Sequence, residues 1–140
     1  MAVKATYTVT PLLDVNAMQD VDDRAESRTY IVGDLDSGKA VIIDAVIENV
    51  ERDLRIMKEF GWTVIYTIET HIHADHITGA SMIKDRTGAK IVYGAGVEGV
   101  VTGVDVFMHE GQELRFGNTT IQALATPGHT DSCTSYVLPG

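Results

Sequence analysis

The apolar and polar positions of this chain lay out a succession of short strands interrupted by two helical stretches. Tyr7 to Leu13 alternates weakly and predicts a first strand. Arg28 to Val32 and Ala40 to Ile43 predict two more. The turn formers Gly33-Asp34-Leu35-Asp36-Ser37-Gly38-Lys39 between them predict a hairpin. From Glu48 to Phe60 the period changes. Val50, Leu54 and Met57 recur at i, i+4 and i+7, one apolar stripe of a helix that Gly61 is placed to stop. Glu48 with Arg52, and Glu51 with Arg55, are spaced for favourable ion pairs on that helix.

Thr63 to Ile68 is a β-branched run that reads as a buried strand. With the preceding helix it predicts a βαβ unit with a right-handed crossover. Trp62 is expected to pack at the helix–sheet junction. Ile77 to Thr87 predicts a second helix ending at Gly88, and Lys90 to Tyr93 a short strand. Gly94 to Gly103 carries four glycines, matches neither phosphate-loop fingerprint, and is expected to be a flexible surface loop. Glu113 to Ala125 predicts a hairpin turning at Gly117-Asn118, with Leu114, Phe116, Ile121 and Leu124 as apolar members. Ser135 to Leu138 predicts the last strand.

Composition narrows the class. A chain of 140 residues, 44% hydrophobic and 22% charged, suits one globular domain with its own core. The net charge of −9, without a basic stripe, argues against a nucleic-acid partner. No apolar run reaches the roughly 18 residues of a membrane span, and the N-terminus shows no apolar signal region. The single cysteine, Cys133, rules out an internal disulfide and fits a reducing compartment, so a cytoplasmic location is expected. Asp14 to Ser27, with Asp20, Asp22, Asp23 and Glu26, lacks the glycine and spacing of a calcium loop and reads as a solvated surface loop.

The candidate chemistry lies in Thr70 to Ala80, T-H-I-H-A-D-H-I-T-G-A. Three of the five histidines fall within six residues here. The stretch follows a predicted strand and precedes a predicted helix, so it sits where open α/β sheets place their ligands. His71 and His73 are two apart and would point to the same side of an extended segment. Asp75 and His76 follow. Imidazole and carboxylate are ligands for zinc, iron and manganese. The cluster needs a further ligand, and Thr126-Pro127-Gly128-His129-Thr130 offers one on a tight turn. His109 matches no ligand pattern and reads as a surface residue. Asp44 ends its strand as a turn cap.

H-x-H-x-D-H followed by a distant G-H-T resembles the metallo-β-lactamase superfamily. Within it, T-H-I-H-A-D-H-I-T-G-A and T-P-G-H-T-D-S-C resemble the persulfide dioxygenase (sulfur dioxygenase) branch. Ala74 stands where the glyoxalase II branch typically has a bulky aromatic. The resemblance runs from about Tyr30 to Leu138. It implies an αββα sandwich, here a single domain over residues 1–140 with the second half of the fold missing. No aspartate follows Asp131 and no histidine follows His129, so the family's later carboxylate ligand and later histidine are absent. Ser132 replaces a glycine common in the family.

The resemblance further implies one Fe(2+), with Zn(2+) as the alternative. His71 and His129 would be ligands, with His73 added in a hydrolase-like site. Asp75, His76 and Thr130 would act around the metal, and Asp44 and Cys133 would support it. The implied reaction oxidises glutathione persulfide to sulfite and glutathione. A glyoxalase II-like thioester hydrolase would instead hold two metals, the first by His71, His73 and His129 and the second by Asp75 and His76. A third alternative is a non-catalytic metal-binding half-domain. Exposed strand edges in an incomplete sandwich imply self-association, with a homodimer expected.

Overall fold

The computed structural model describes residues 7–13, 28–70, 79–99, 101–125 and 134–138. Asp14 to Ser27 and the site residues His71, His73, Asp75, His76, His129, Thr130 and Cys133 lie outside the described residues. So do Ile77 and Thr78 of the expected second helix.

Nine strands and two helices are present among the described residues. They are β1 (Tyr7–Leu13), β2 (Arg28–Asp34), β3 (Lys39–Ile43), α1 (Val50–Glu59), β4 (Thr63–Ile68), α2 (Ala80–Thr87), β5 (Lys90–Gly94), β6 (Val106–Met108), β7 (Glu113–Phe116), β8 (Thr119–Ala125) and β9 (Thr134–Val137). Strands β1 to β6 form one sheet in chain order, and β7-β8-β9 form a second. The first three strands pair antiparallel. From β3 to β6 the pairing is parallel, with α1 and α2 carrying the first two crossovers.

Alternation along the strands separates two cores. Ile31, Ala40 and Ile42 face Val50 and Met57 of α1 and Ile83 of α2. Their neighbours Val32 and Val41, with Ile68 and Val92, point the other way and meet Leu114, Phe116 and Ile121 of the second sheet. Trp62 packs against the helix-side core, as expected. Both α1 and α2 are followed by glycines in left-handed conformation, Gly61 and Gly88.

Several expectations are corrected. The segment Ile47–Asn49 is a 3-10 turn, and α1 begins only at Val50. Glu51 pairs with Arg86 of α2, where Arg55 was the expected partner. On the apolar face of α1, Asp53 is fully buried, and Arg52 donates to its Oδ1 at 3.0 and 2.9 Å. The glycine-rich segment is largely exposed, as expected of a surface loop, at Gly96, Glu98, Gly99, Thr102 and Gly103, but it is held down at one point. Val97 is buried on a short 3-10 turn, and it clusters with Ala80, Ile91 and Tyr93. Its far end is latched by Asp105, which accepts from Lys84 Nζ and from the Ile91 N–H at 2.8 Å. Strand β6 follows, without alternation in its sequence to announce it. In the β7–β8 hairpin Ile121 and Ala123 are buried, while Leu124 is only half-buried on the opposite face.

A second buried carboxylate ties the two sheets together. Asp34, at the end of β2, accepts from the Ser37 N–H at 2.9 Å, the Ser37 hydroxyl at 2.6 Å and the Thr119 hydroxyl at 2.7 Å. Burial alone would raise its pKa. The hydrogen bonds from Ser37, Thr119 and Asn118 outweigh that and hold it down at about 2.

Candidate metal centre

The parallel strands of the large sheet end on one side, and the chain leaves β4 there to enter the histidine cluster. Asp44 lies at this rim, one residue past β3. Its backbone is left-handed, with φ of 58°, a conformation that costs an aspartate less than most residues. The local bonds account for that conformation. The Asp44 N–H donates to Ile68 O at 2.8 Å, and the Thr29 hydroxyl donates to Asp44 O at 3.1 Å. The carboxylate then faces the end of β4. Oδ1 accepts from the Thr70 N–H at 2.8 Å, and Oδ2 accepts from the Thr70 hydroxyl at 2.7 Å. Asp44 therefore fixes the residue immediately before His71.

The second loop is brought to the same point. Thr134, the first residue of β9, donates its N–H to Thr70 O at 2.7 Å. The chain enters Thr134 directly from the segment that contains His129, Thr130 and Cys133. Gly94, the last residue of β5, makes room for this contact, since any Cβ there would collide with the Thr134 side chain. On the other side of the histidine cluster, the Gly79 N–H donates to Ala45 O at 2.8 Å, anchoring the entry to α2. The residues on either side of the cluster are thus held by Asp44 itself and by its neighbour Ala45, and Thr134 joins the same point through Thr70.

A buried carboxylate directly follows β4 at this rim. Glu69 is fully buried between Ile68 and Thr70, and its N–H donates to Val92 O at 2.9 Å. The Tyr136 hydroxyl donates to Glu69 O at 3.4 Å. Burial, then the charges of Glu69 and Asp44, push the Tyr93 phenol up to about 12. Burial, with Asp44, Glu69 and Tyr93, pushes Tyr136 higher still. Burial is the larger cause of both shifts, and the carboxylates of Glu69 and Asp44 add a negative field to it.

Of the residues singled out in the sequence, Asp44 is placed by the structure at the rim, bound to Thr70. The other site residues lie outside the described segments. Among the described residues no group of three or more His, Cys, Asp or Glu side chains is gathered for a metal. His109 is exposed, and its N–H donates to Gln112 Oε1 at 3.0 Å. Sequence reasoning missed Glu69, Thr70, Tyr93, Thr134 and Tyr136. Only Glu69 carried a usable signal, as a carboxylate directly continuing an apolar strand.

The family model for the metallo-beta-lactamase superfamily matches residues 23–140. The chain belongs to the metallo-beta-lactamase superfamily. It is 36% identical over 115 residues to the mitochondrial persulfide dioxygenase ETHE1 of Homo sapiens, covering 79% of this chain and 42% of that protein. It is 35% identical over 116 residues to a hydroxyacylglutathione hydrolase of Mesorhizobium japonicum, covering 83% of this chain and 45% of that protein. The chain thus spans less than half the length of these relatives. The crystal structure of ETHE1 from Myxococcus xanthus superposes with a TM-score of 0.81 at 36% identity, over 94% of this chain and 53% of that one. The sandwich architecture expected from the histidine motifs is therefore that of the superfamily. The donor types in the sequence, imidazole and carboxylate, suit a transition-metal cation. The described residues that flank the two segments meet where the Thr134 N–H donates to Thr70 O, beside the buried Glu69.

Proposed function

We propose that this chain carries the metal-binding part of a non-haem iron persulfide dioxygenase, within a single domain of the superfamily and in a reducing, cytoplasmic setting. The observation that carries the reading is the 36% identity to a persulfide dioxygenase, and the Ala74-Asp75-His76-Ile77-Thr78-Gly79 run, which resembles that branch, agrees with it. The substrate would be glutathione persulfide, which with dioxygen and water yields glutathione and sulfurous acid, so that every atom is accounted for.

His71 and His129 would hold a ferrous ion, with His73, Asp75 and His76 orienting the ligands around it. Bound there, iron would supply the redox chemistry and the open positions for dioxygen and the substrate sulfur. The rest falls to the protein. Asp44 sets the backbone and hydroxyl of Thr70, and with them the direction in which the chain enters His71. Thr134 fixes where the His129 segment returns. The buried Glu69, with Tyr93 and Tyr136 near it, would favour a cation at this rim. Thr130 and Cys133 would line the site.

One observation favours a second reading. The hydroxyacylglutathione hydrolase of Mesorhizobium japonicum is nearly as similar, at 35% identity. In that reading His71, His73 and His129 hold one Zn(2+), Asp75 and His76 a second, and a water attacks a thioester. Metal counting together with two assays separates the readings. One iron per chain with persulfide-dependent oxygen uptake supports the dioxygenase. Two metals with thioester cleavage support the hydrolase.

A further inference from the structure

A groove on the far side of the sheet has no part in the metal chemistry. It lies at the amino ends of the parallel strands, where α1 ends, β4 begins and α2 ends. One hollow of about 590 Å³ is floored by Leu54, Met57, Trp62 and Val64. A second of about 300 Å³ adjoins it across Thr63, Val64 and Thr87. Strand β4 runs from Thr63 in the groove to Ile68 beside the metal rim, so the two sites are separated by roughly 20 Å of extended chain. A volume of this size suits a small organic molecule, and the apolar floor suits a hydrocarbon body.

The rim is cationic in an acidic protein. Lys58 and Arg86 line the larger hollow and Lys90 the smaller. Among the described residues no Asp or Glu lines either hollow, although the chain has 20 acidic residues against 11 basic ones. Arg86 is engaged by Glu51 and Lys90 faces the charge of Asp105, which leaves Lys58 as the head-group partner. Phe60 stands exposed beside Trp62, with ring centroids 4.9 Å apart.

We propose that this groove binds a medium-chain aliphatic carboxylate, its tail over Leu54, Met57 and Trp62 and its head group at Lys58. The proposal is independent of which metal reaction the chain supports. Charge complementarity selects an anion, and the apolar floor selects one with a tail over a bare phosphate.

Trp62 is the one tryptophan of the chain and lies in the groove wall, so it reports on occupancy directly. The test is titration of the whole chain with octanoate, read by Trp62 emission and in parallel by calorimetry. Octan-1-ol and inorganic phosphate are the comparison probes. Saturable octanoate binding is expected, at least tenfold tighter than octan-1-ol and not displaced by phosphate. Lys58→Glu, an exposed change, should weaken it at least tenfold with the far-UV spectrum unchanged. No heat and no emission change up to millimolar octanoate would overturn the proposal. So would equal binding of octan-1-ol, displacement by phosphate alone, or indifference to Lys58→Glu.

Discussion

Asp44 grips Thr70 with both carboxylate oxygens, one on the backbone N–H at 2.8 Å and one on the side-chain hydroxyl at 2.7 Å. The two residues are 26 apart in sequence, and each stands just beyond the end of a parallel strand. The bond pair converts the end of β4 into a fixed starting point for the histidine cluster. Thr134 adds the G-H-T segment to the same residue through its carbonyl.

Removing that grip should loosen the metal without unfolding the sheet. Asp44→Gly relieves the left-handed backbone while deleting the carboxylate, so it isolates the grip from the conformation. Metal affinity, measured by chelator competition, should fall roughly ten- to a hundred-fold, the usual effect of losing a group that orients a ligand. Asp44→Ala should show the same loss of affinity plus about 1 kcal/mol of instability from the strained φ. Unchanged affinity in both variants would remove Asp44 from the site.

Gly94 and Thr134 should be energetically coupled. Gly94→Ala pushes a methyl into the Thr134 side chain and should cost about 1–3 kcal/mol in denaturant unfolding. Adding Thr134→Ala should return part of that loss. Strict additivity of the two changes would show that the close approach does not matter.

Asp34 should contribute to acid stability with a defined sign. Its folded pKa of about 2 lies below the unfolded value of 3.8. A depressed carboxyl stabilises the fold above its unfolded pKa, and that stability is lost as pH falls through the folded one. Stability measured by urea unfolding should therefore drop between about pH 4 and pH 2. Asp34→Asn should flatten that part of the profile and lower stability at pH 7. An unchanged slope in the variant would assign the acid sensitivity elsewhere.

Strand β9 pairs with β8 and, among the described residues, with no strand on its other edge. Val137 on it is 43% exposed. Light scattering should find the chain as a homodimer, and Val137→Lys should shift it toward monomer, since an edge lysine blocks strand pairing. A monomer across the micromolar range would contradict this.

Much of the framework could be read from the sequence because burial imposes periodicity. The β-branched run of β4 fixes both of its ends, and the Val50 and Met57 spacing marks the buried face of α1. The Gly117-Asn118 turn separates two alternating strands. What escaped was polar or short. Asp53 and Glu69 are buried carboxylates at positions that pattern alone assigns to apolar or loop residues. Strand β6 has three residues, too few to show a period. In the glycine-rich segment, Val97 packs on Ala80, Ile91 and Tyr93, a contact that no local pattern marks. For the site, the histidine types and spacing carried the chemistry. The residues that draw the two loops together, Thr70 and Thr134, are ordinary threonines whose role exists only in three dimensions.

The central claim is that the two histidine segments form one metal centre. Its most direct test is the metal content of the purified chain and of His71→Ala and His129→Ala, after reconstitution with ferrous iron. The parent chain should bind iron stoichiometrically, and each variant should lose it while keeping the same far-UV spectrum. Full iron occupancy in either variant would contradict the account.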